Sequence, residues 1–398
     1  MATIAACLIV KDGAATLERC MGSIRPHVDE VVVYDTGSRD GTLELLDRLQ
    51  DAEAAPIRVA RGEWRDNFAW ARERSFELAV AEWLMWIDAD DVLVGGGELR
   101  PLAADAPPEL DGFVASYEAE RDSSGTVTQH VWRVRIVRKA SGFRWEGIVH
   151  EGLFLPTGRA PRLQVVSAER LRVVHEPVEG RLDTARNLEI LLAAESRDAL
   201  DGRMLFDLGL ELVGHGRFEE AVPRLRAYLG RVEEWSDERT QAACLLAASL
   251  RMTSRPDEAL EVELEAAERR PDWTDAALGL AESYAALGRW ADAQNWAGRA
   301  AELDVPRSPV LLDPRWLRLA PLLRLAEASL VLGARDRAFA ALEEAHRRFG
   351  EDEWLLDKLD GIGDDPARAL EVARQALGRY DPRMRAAVRA LWRETGAG

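Results

Sequence analysis

Three carboxylates fall within four positions at Asp88-Ala89-Asp90-Asp91, directly after the short apolar run Trp83-Leu84-Met85-Trp86-Ile87. A run of that length has strand character, and a strand that ends in Asp-x-Asp sets acidic groups at the mouth of a sheet. In open α/β sheets, ligands bind outside the carboxyl ends of the strands. Clustered carboxylates are hard oxygen ligands suited to Mg²⁺ or Mn²⁺, and an ion held by one or two of them completes its shell with water and substrate phosphates. The chemistry on offer is a metal–diphosphate site. The plainer alternative is an acidic strand end or a helix N-cap.

The elements before this stretch must position it. Ala2 to Val10 is an apolar strand closed by the turn Lys11-Asp12-Gly13, and Leu17, Met21 and Ile24 then recur at helical spacing. Glu30 to Tyr34 is a second strand, broken by the dense turn signal Asp35-Thr36-Gly37-Ser38-Arg39-Asp40-Gly41-Thr42. A helix over Leu43 to Leu49, a strand over Ile57 to Ala60 and a helix near Asn67 to Ala81 lead into the acidic strand. Such alternation implies βαβ units and a parallel sheet. Neither the Gly-x-Gly-x-x-Gly fingerprint nor the Gly-x-x-x-x-Gly-Lys-Ser/Thr loop occurs, so this is a nucleotide-type sheet without either common phosphate loop. Three strand ends, at Lys11-Asp12, at Asp35 to Ser38 and at Asp88 to Asp90, share one carboxyl edge. Asp35 there either accepts from a base N–H or ribose hydroxyl, or caps its own turn. Gly37 permits close backbone approach or positive φ. Arg72 either faces a diphosphate or pairs with Asp90.

These segments together resemble the family 2 glycosyltransferases of GT-A fold. Leu8 to Asp12 is similar to that family's opening strand and turn. Glu30 to Thr42 resembles its acidic Asp-Thr-Gly-Ser turn segment, Phe68-Ala69-Trp70-Ala71-Arg72 its Phe-x-x-x-Arg helix, and Asp88-Ala89-Asp90 its Asp-x-Asp motif. The resemblance implies a nucleotide-sugar donor, commonly a UDP-sugar, with Mg²⁺ or Mn²⁺. It implies a donor site drawn from Val10, Lys11, Asp35, Gly37, Arg72, Asp88 and Ala89. Asp35 would contact the base, Asp88 the ribose or metal, and Asp90 would be the main metal ligand. Asp12 stands where Asn is common and Thr36 where a second Asp is frequent, which leaves base recognition open.

Further on, Asp111 to Tyr117 and Val131 to Arg138 read as strands that would flank an acceptor; in the second, Val131, Arg133 and Arg135 share one face. The pair His150-Glu151 follows. A transferase that attacks an anomeric carbon needs a base for the acceptor's proton, and either residue suits, although a loop His and Glu also satisfy backbone groups. Glu151 is taken as the base with His150 positioning it or the diphosphate. By the same resemblance, His175, at the end of a last strand over Val165 to His175, completes the metal shell; a half-buried strand-end His is the alternative. Pro177 to Gly180 reads as a linker. This gives a catalytic domain over 1–180 and a second domain over 181–398, opened by a helix at Thr184 to Leu188.

From Leu205 onward strand signals disappear and Leu, Ala, Arg and Glu recur at helical period. Turn signals at Gly214 to Phe218, Arg255 to Asp257, Gly288 to Trp290 and Gly333 to Arg335 each precede a helix bearing a small residue: Ala221, Ala259, Ala293 and Ala338. Their intervals of 38, 34 and 45 scatter near the tetratricopeptide period of about 34. The second domain is expected to be an all-α, tetratricopeptide-like stack. Val305 to Pro321 reads as an inserted loop and Leu370 to Trp392 as a capping pair. Trp273, Trp290, Trp296 and Trp316 read as helix-contact residues, and His215 and His346 as structural.

With 47% apolar and 31% charged residues in 398, the chain is a globular protein with room for two cores. It has no apolar run long enough for a membrane span, and because Met1 to Val10 reads as a strand no signal peptide is expected. Three unpatterned cysteines fit a reducing cytoplasm. A net charge of −18 argues against nucleic-acid partners. The expected protein is an inverting, metal-dependent transferase. It moves a hexose or N-acetylhexosamine from a nucleotide sugar to Ser, Thr or Cys of a peptide or protein. Its repeats would hold that acceptor or form a homodimer face. Two rival readings are a cell-wall, capsular or lipid-linked acceptor, and an interaction scaffold with a degenerate transferase domain.

Overall fold

The computed structural model describes residues 2–50, 54–121, 125–156, 158–178, 185–349, 352–360 and 362–383. The chain divides into two compact units, residues 1–120 with 130–197, and residues 121–129 with 198–398. Thr184, the linker from 179 to 180 and the final stretch from 384 to 392 lie outside the described residues.

The first unit is built on one mixed sheet. Its parallel half runs β3 (Ile57–Arg61), β2 (Glu30–Asp35), β1 (Ile4–Val10), β4 (Trp83–Trp86). It continues through β7 (Val127–Arg138), antiparallel to β4, then β6 (Gly112–Arg121), β11 (Arg172–His175) and β5 (Asp91–Val94); β10 (Leu163–Val165) also pairs with β6. A separate two-stranded ribbon joins β8 (Arg144–Glu146) to β9 (Gly152–Phe154). Side chains alternate across a strand, and here both faces are covered. Ile4, Ala6, Leu8 and Val10 enter one core with Leu17, Cys20, Met21 and Ile24 of α1 (Leu17–Ile24) and with Leu45 and Leu46 of α2 (Thr42–Gln50). Ala5 and Cys7 enter the opposite core with Ala69 and Phe76 of α3 (Phe68–Leu78). Burial on both faces explains why these strands read as near-continuous apolar runs. Two short helices complete the unit, α4 (Leu99–Asp105) and α5 (Arg186–Ser196).

Two strands, β5 and β9, were not legible in the sequence, and the single last strand expected over Val165 to His175 is two, β10 ending at Val165 and β11 beginning at Arg172. Val92-Leu93-Val94 follows the acidic run as β5, pairing antiparallel with β11 so that Asp91 lies opposite His175. The Asp-x-Asp stretch is thus the turn between two strands of one sheet.

The second unit stacks helix pairs. They are α6 (Gly202–Gly214) with α7 (Phe218–Arg231), α8 (Asp237–Met252) with α9 (Pro256–Arg269), α10 (Thr274–Ala286) with α11 (Trp290–Glu302), and α12 (Pro314–Val331) with α13 (Arg335–Arg348). The shorter α14 (Glu353–Asp360) and α15 (Pro366–Tyr380) follow, α15 packing on α12. The first helix of each pair also packs on the first helix of the next, a tetratricopeptide-like arrangement. Every pair turns the same way. Gly216, Ser254, Gly288 and Gly333 adopt φ of 71°, 61°, 72° and 76°. The next residue's N–H (Arg217, Arg255, Arg289, Ala334) donates to the carbonyl five positions back, at 2.8 Å in each case. These are Schellman caps. Ala221, Ala259, Ala293 and Ala338 are fully buried, where small side chains let helices approach. The expected inserted loop over Val305 to Pro321 is a correction: α12 starts at Pro314, because Asp313 caps it through the Trp316 N–H at 2.8 Å and proline is pre-set for a first helical position. Trp273 and Trp316 are core residues, with Trp290 and Trp296 packed against the same core. Among the described residues no helix is long and apolar enough to cross a membrane.

Candidate active site

The turn after β4 is locked from inside. The Ile87 N–H donates to the Cys7 carbonyl at 3.2 Å, and the Asp91 N–H to the Asp88 carbonyl at 3.0 Å. The Asp91 carboxylate, wholly buried, accepts the Asp88 N–H at 3.1 Å. Holding Asp91 inward leaves Asp88 and Asp90 facing a cavity of about 720 Å³, within the range of small-molecule sites.

Arg72 reaches this cavity from α3. Its guanidinium is 5% exposed and lies 4.5 Å and 5.2 Å from the rings of Trp86 and Trp145. Nη2 meets Asp88 Oδ1 at 2.8 Å and Oδ2 at 3.1 Å, and Nε donates to Glu151 Oε1. Of the two roles open to Arg72, a pairing is present, but with Asp88 and not Asp90. Asp90 turns instead to the β11 side, where its Oδ1 lies 3.7 Å from His175 Nδ1. Burial alone would lower the Arg72 pKa; Asp88 and Glu151 outweigh it and raise it. The Asp88 carboxyl, which burial would raise, is held below its ordinary range by Arg72 and Arg135.

His150 and Glu151 enter through a tight loop in which Gly147 and His150 both have positive φ, 97° and 50°. The Phe68 N–H ties that loop to the start of α3 through the Ile148 carbonyl at 2.9 Å. A non-glycine residue at positive φ is strained, and such strain concentrates at functional sites. His175 sits across the cavity. Its Nδ1 is 3.2 Å from Asp91 Oδ1, which also accepts the Tyr117 hydroxyl at 3.2 Å. Burial would lower the His175 pKa; the bond to Asp91 and the charge of Asp90 outweigh it and raise it.

Of the side chains singled out in the sequence, Val10, Lys11, Arg72, Asp88, Ala89 and Asp90 line the cavity, as do His150, Glu151 and His175. Asp35 and Gly37 do not. Asp35 is 1% exposed, and its Oδ1 accepts the Gly37 and Ser38 N–H groups at 3.1 Å each, the turn-capping arrangement. Gly37 supplies φ of 109° for that turn. Other residues went unsingled: Asp91 and Tyr117, the buried Arg135 on β7, and Arg186 and Asn187 of the α5 turn, which line the cavity. For Arg135 a signal existed. Strand alternation puts it on the face of Val131, and both are buried to 1% or less.

Could these groups hold a divalent ion? Oxygens of Asp90 and Asp91 and a ring nitrogen of His175 lie within 4.8 Å of one another. Burial pushes the Asp90 carboxyl up to about 6, with Asp88 and Asp91 adding to the shift, a charge conflict that a cation relieves. Oxygen and imidazole donors suit Mn²⁺, and the carboxylates suit Mg²⁺. The donor set fits. Asp91, already engaged by Tyr117 and His175, is better placed to orient the imidazole than to ligate, since a metal-bound His usually gives its other N–H to a carboxylate.

Residues 6–154 match the family model described as Glycosyl transferase family 2, so the first part of the chain is a family 2 glycosyltransferase domain. Among curated proteins, the chain is 37% identical over 94 residues to a TPR repeat-containing protein of Synechococcus elongatus, covering 24% of this chain and 22% of that one. It is 23% identical over 244 residues to the SPbeta prophage-derived glycosyltransferase SunS of Bacillus subtilis, covering 60% and 56%. To the lipopolysaccharide core biosynthesis glycosyltransferase LpsC of Rhizobium meliloti it is 29% identical over 160 residues, covering 39% and 58%. This chain therefore spans less than two thirds of the length of each of these relatives.

Proposed function

We propose that this protein is an inverting glycosyltransferase that moves a hexose or N-acetylhexosamine from a nucleotide sugar, UDP-linked in the first instance, to a peptide or protein side chain. The observation that carries the reading is that one cavity of a family 2 domain gathers Arg72, Asp88, Asp90, Glu151 and His175. Asp90 and His175, with Asp88, would hold Mg²⁺ or Mn²⁺, which when bound would supply positive charge for a leaving diphosphate. Val10, Lys11 and Ala89 wall the donor. Asp35 and Gly37 shape the turn beside the base. Glu151, oriented by Arg72 and flanked by His150, takes the proton from the acceptor's hydroxyl or thiol. The acceptor oxygen or sulfur bonds the anomeric carbon as the bond to the diphosphate oxygen breaks, its electron pair leaving with the nucleotide. Residues 1–180 form the catalytic domain in this reading. The helical pairs within 181–398 receive an extended acceptor or a second copy of the chain. The protein works in the cytoplasm, where three buried free cysteines stay reduced.

The relation to LpsC favours a second reading, with the same donor chemistry and a saccharide or lipid-linked acceptor. A thermal-shift series with UDP, GDP, dTDP and CDP, each with Mn²⁺, Mg²⁺ or chelator, tests the donor half. A ligand at a hundredfold its dissociation constant adds about 2.7 kcal/mol of apparent stability. One nucleotide is expected to act, and only with metal. Asp90→Ala should abolish that metal dependence and the transfer. A full response in Asp90→Ala would sink the metal assignment, and no response to any nucleotide would favour a scaffold. Incubation with labelled donor and either peptide or saccharide acceptors separates the two acceptor readings.

A further inference from the structure

Behind the acidic turn lies an arginine that the reaction above does not use. Arg135 is 0% exposed. Its guanidinium is pressed against the Trp86 ring at 3.5 Å and lies 4.8 Å from Tyr117. Nη1 donates to the Trp86 carbonyl at 3.4 Å and stands 3.8 Å from Asp91 Oδ2. Nε and Nη2 are buried with no hydrogen-bond partner. A buried guanidinium so poorly bonded is costly. What offsets the cost is charge: β5 contributes Asp91, and the turn after β4 contributes Asp88.

The same charge faces whatever binds on the far side of the turn. Burial lowers the Arg135 pKa against the pull of Asp91, yet the guanidinium remains a cation at neutral pH. Asp91 transmits the effect in both directions. Its Oδ1 lies 3.2 Å from His175 Nδ1, where an ionised carboxylate holds the ring in place, and its Oδ2 faces Arg135.

We propose that Arg135 is a resident counter-charge that weakens divalent-metal binding at Asp90 and His175, while Asp91 strengthens it by orienting His175. The inference rests on the metal reading above. It assigns opposite signs to two neighbouring buried residues, which a purely structural role would not.

The test is the Mn²⁺ dissociation constant of the full-length protein without nucleotide, read from the electron paramagnetic resonance signal of free Mn²⁺. Thermal unfolding reports on folding. Arg135→Met should bind Mn²⁺ roughly tenfold more tightly, the scale of a one-unit shift that a like charge nearby makes at a titrating group. Arg135→Lys, which keeps the charge, should stay near wild type. Asp91→Asn should bind about ten- to a hundredfold more weakly, as loss of a carboxylate behind a metal-bound His usually does. If Arg135→Met does not fold, the double variant Asp91→Asn/Arg135→Met leaves neither charge unpaired and should bind more tightly than Asp91→Asn alone. Wild type that binds no Mn²⁺, with or without UDP, overturns the metal reading and this inference with it. Wild type that binds, with no gain in either Arg135→Met background, overturns this inference alone.

Discussion

Each unit of the molecule buries an arginine between two carboxylates, and the two triads differ in completeness. In the second unit Arg251 bridges Glu263 and Glu282, reaching the latter at 2.8 Å. Ser283 donates to Glu263 at 2.6 Å, and Arg383 donates to Glu282 at 3.1 Å. Among the described residues, none of the buried side-chain atoms of these five groups lacks a partner. In the first unit Arg72 bridges Asp88 and Glu151, yet Arg72 Nη1 and two nitrogens of Arg135 are orphaned. A buried polar network that is fully satisfied rigidifies a fold; a partly satisfied one costs stability and persists where function needs it. The two triads therefore differ in how completely their buried polar atoms are bonded, and if the proposed function holds, the incomplete one is the one that meets a ligand.

Substituting the two central arginines alike should separate them. Removing one partner of a buried ion pair typically costs about 3–5 kcal/mol, because the remaining charge is uncompensated. Both Arg72→Met and Arg251→Met should lose stability on that scale in thermal or urea unfolding. Arg72→Met should also lose transfer by about a hundredfold or more, the scale seen when one preorganised donor is removed from a site. Arg251→Met, assayed where it remains folded, should keep its kcat/KM. Equal losses of transfer in the two would break the comparison. A smaller probe of the second triad is Gly279→Ala. The added methyl would lie 2.4 Å from Glu263 Oε1, so the pair must shift, at about 1–3 kcal/mol for overpacking, with transfer unchanged.

Much of this contrast was visible in residue types and little of it in their contacts. The parallel strands, the acidic turn and the helix carrying Arg72 are legible because apolar runs, turn residues and one Phe-x-x-x-Arg spacing are local. The repeats are legible through buried alanines and left-handed glycines, except where Ser254 takes the glycine's place and where Pro314 opens a helix while looking like a loop residue. What stayed hidden depends on register. Asp91 meets His175 only because β5 pairs with β11 across 84 positions of sequence. Arg135 is significant only because it is buried, and strand alternation names a face without saying what covers it.

Asp111 sharpens the comparison, since it lies in the first unit but away from the cavity and is fully bonded. Arg159 grips it with two bonds at 2.6 and 2.7 Å, the Arg162 N–H donates at 2.8 Å, and Ser141 at 2.7 Å. The Arg159 bonds, with help from Arg162 and Ser141 and against partial burial, hold its carboxyl well below the usual range. A depressed folded-state value means that the stabilisation is present above the unfolded Asp value of about 3.9 and is lost as pH falls below it. Asp111→Asn should therefore melt earlier than wild type at pH 7; the gap should begin to narrow below about pH 4 and close only as pH falls through the depressed folded-state value, with transfer at neutral pH intact. Because Arg159 is half exposed, the difference should be smaller than that of Gly279→Ala. A constant gap in melting temperature across that range would show that the charge is not the source.

The smallest expected effect isolates glycine itself from the network around it. Gly230 sits in α7, exposed, and a methyl added there meets nothing within 4 Å. Its backbone is helical, so alanine fits without strain and reduces the freedom of the unfolded chain. Gly230→Ala should stabilise the second unit by about 0.5–1 kcal/mol, opposite in sign to Gly279→Ala, which lies two helix pairs along the stack. The urea midpoints of the two variants measure both. If Gly279→Ala were also stabilising, Glu263 would have room to move, and the second triad would be no more tightly specified than the first.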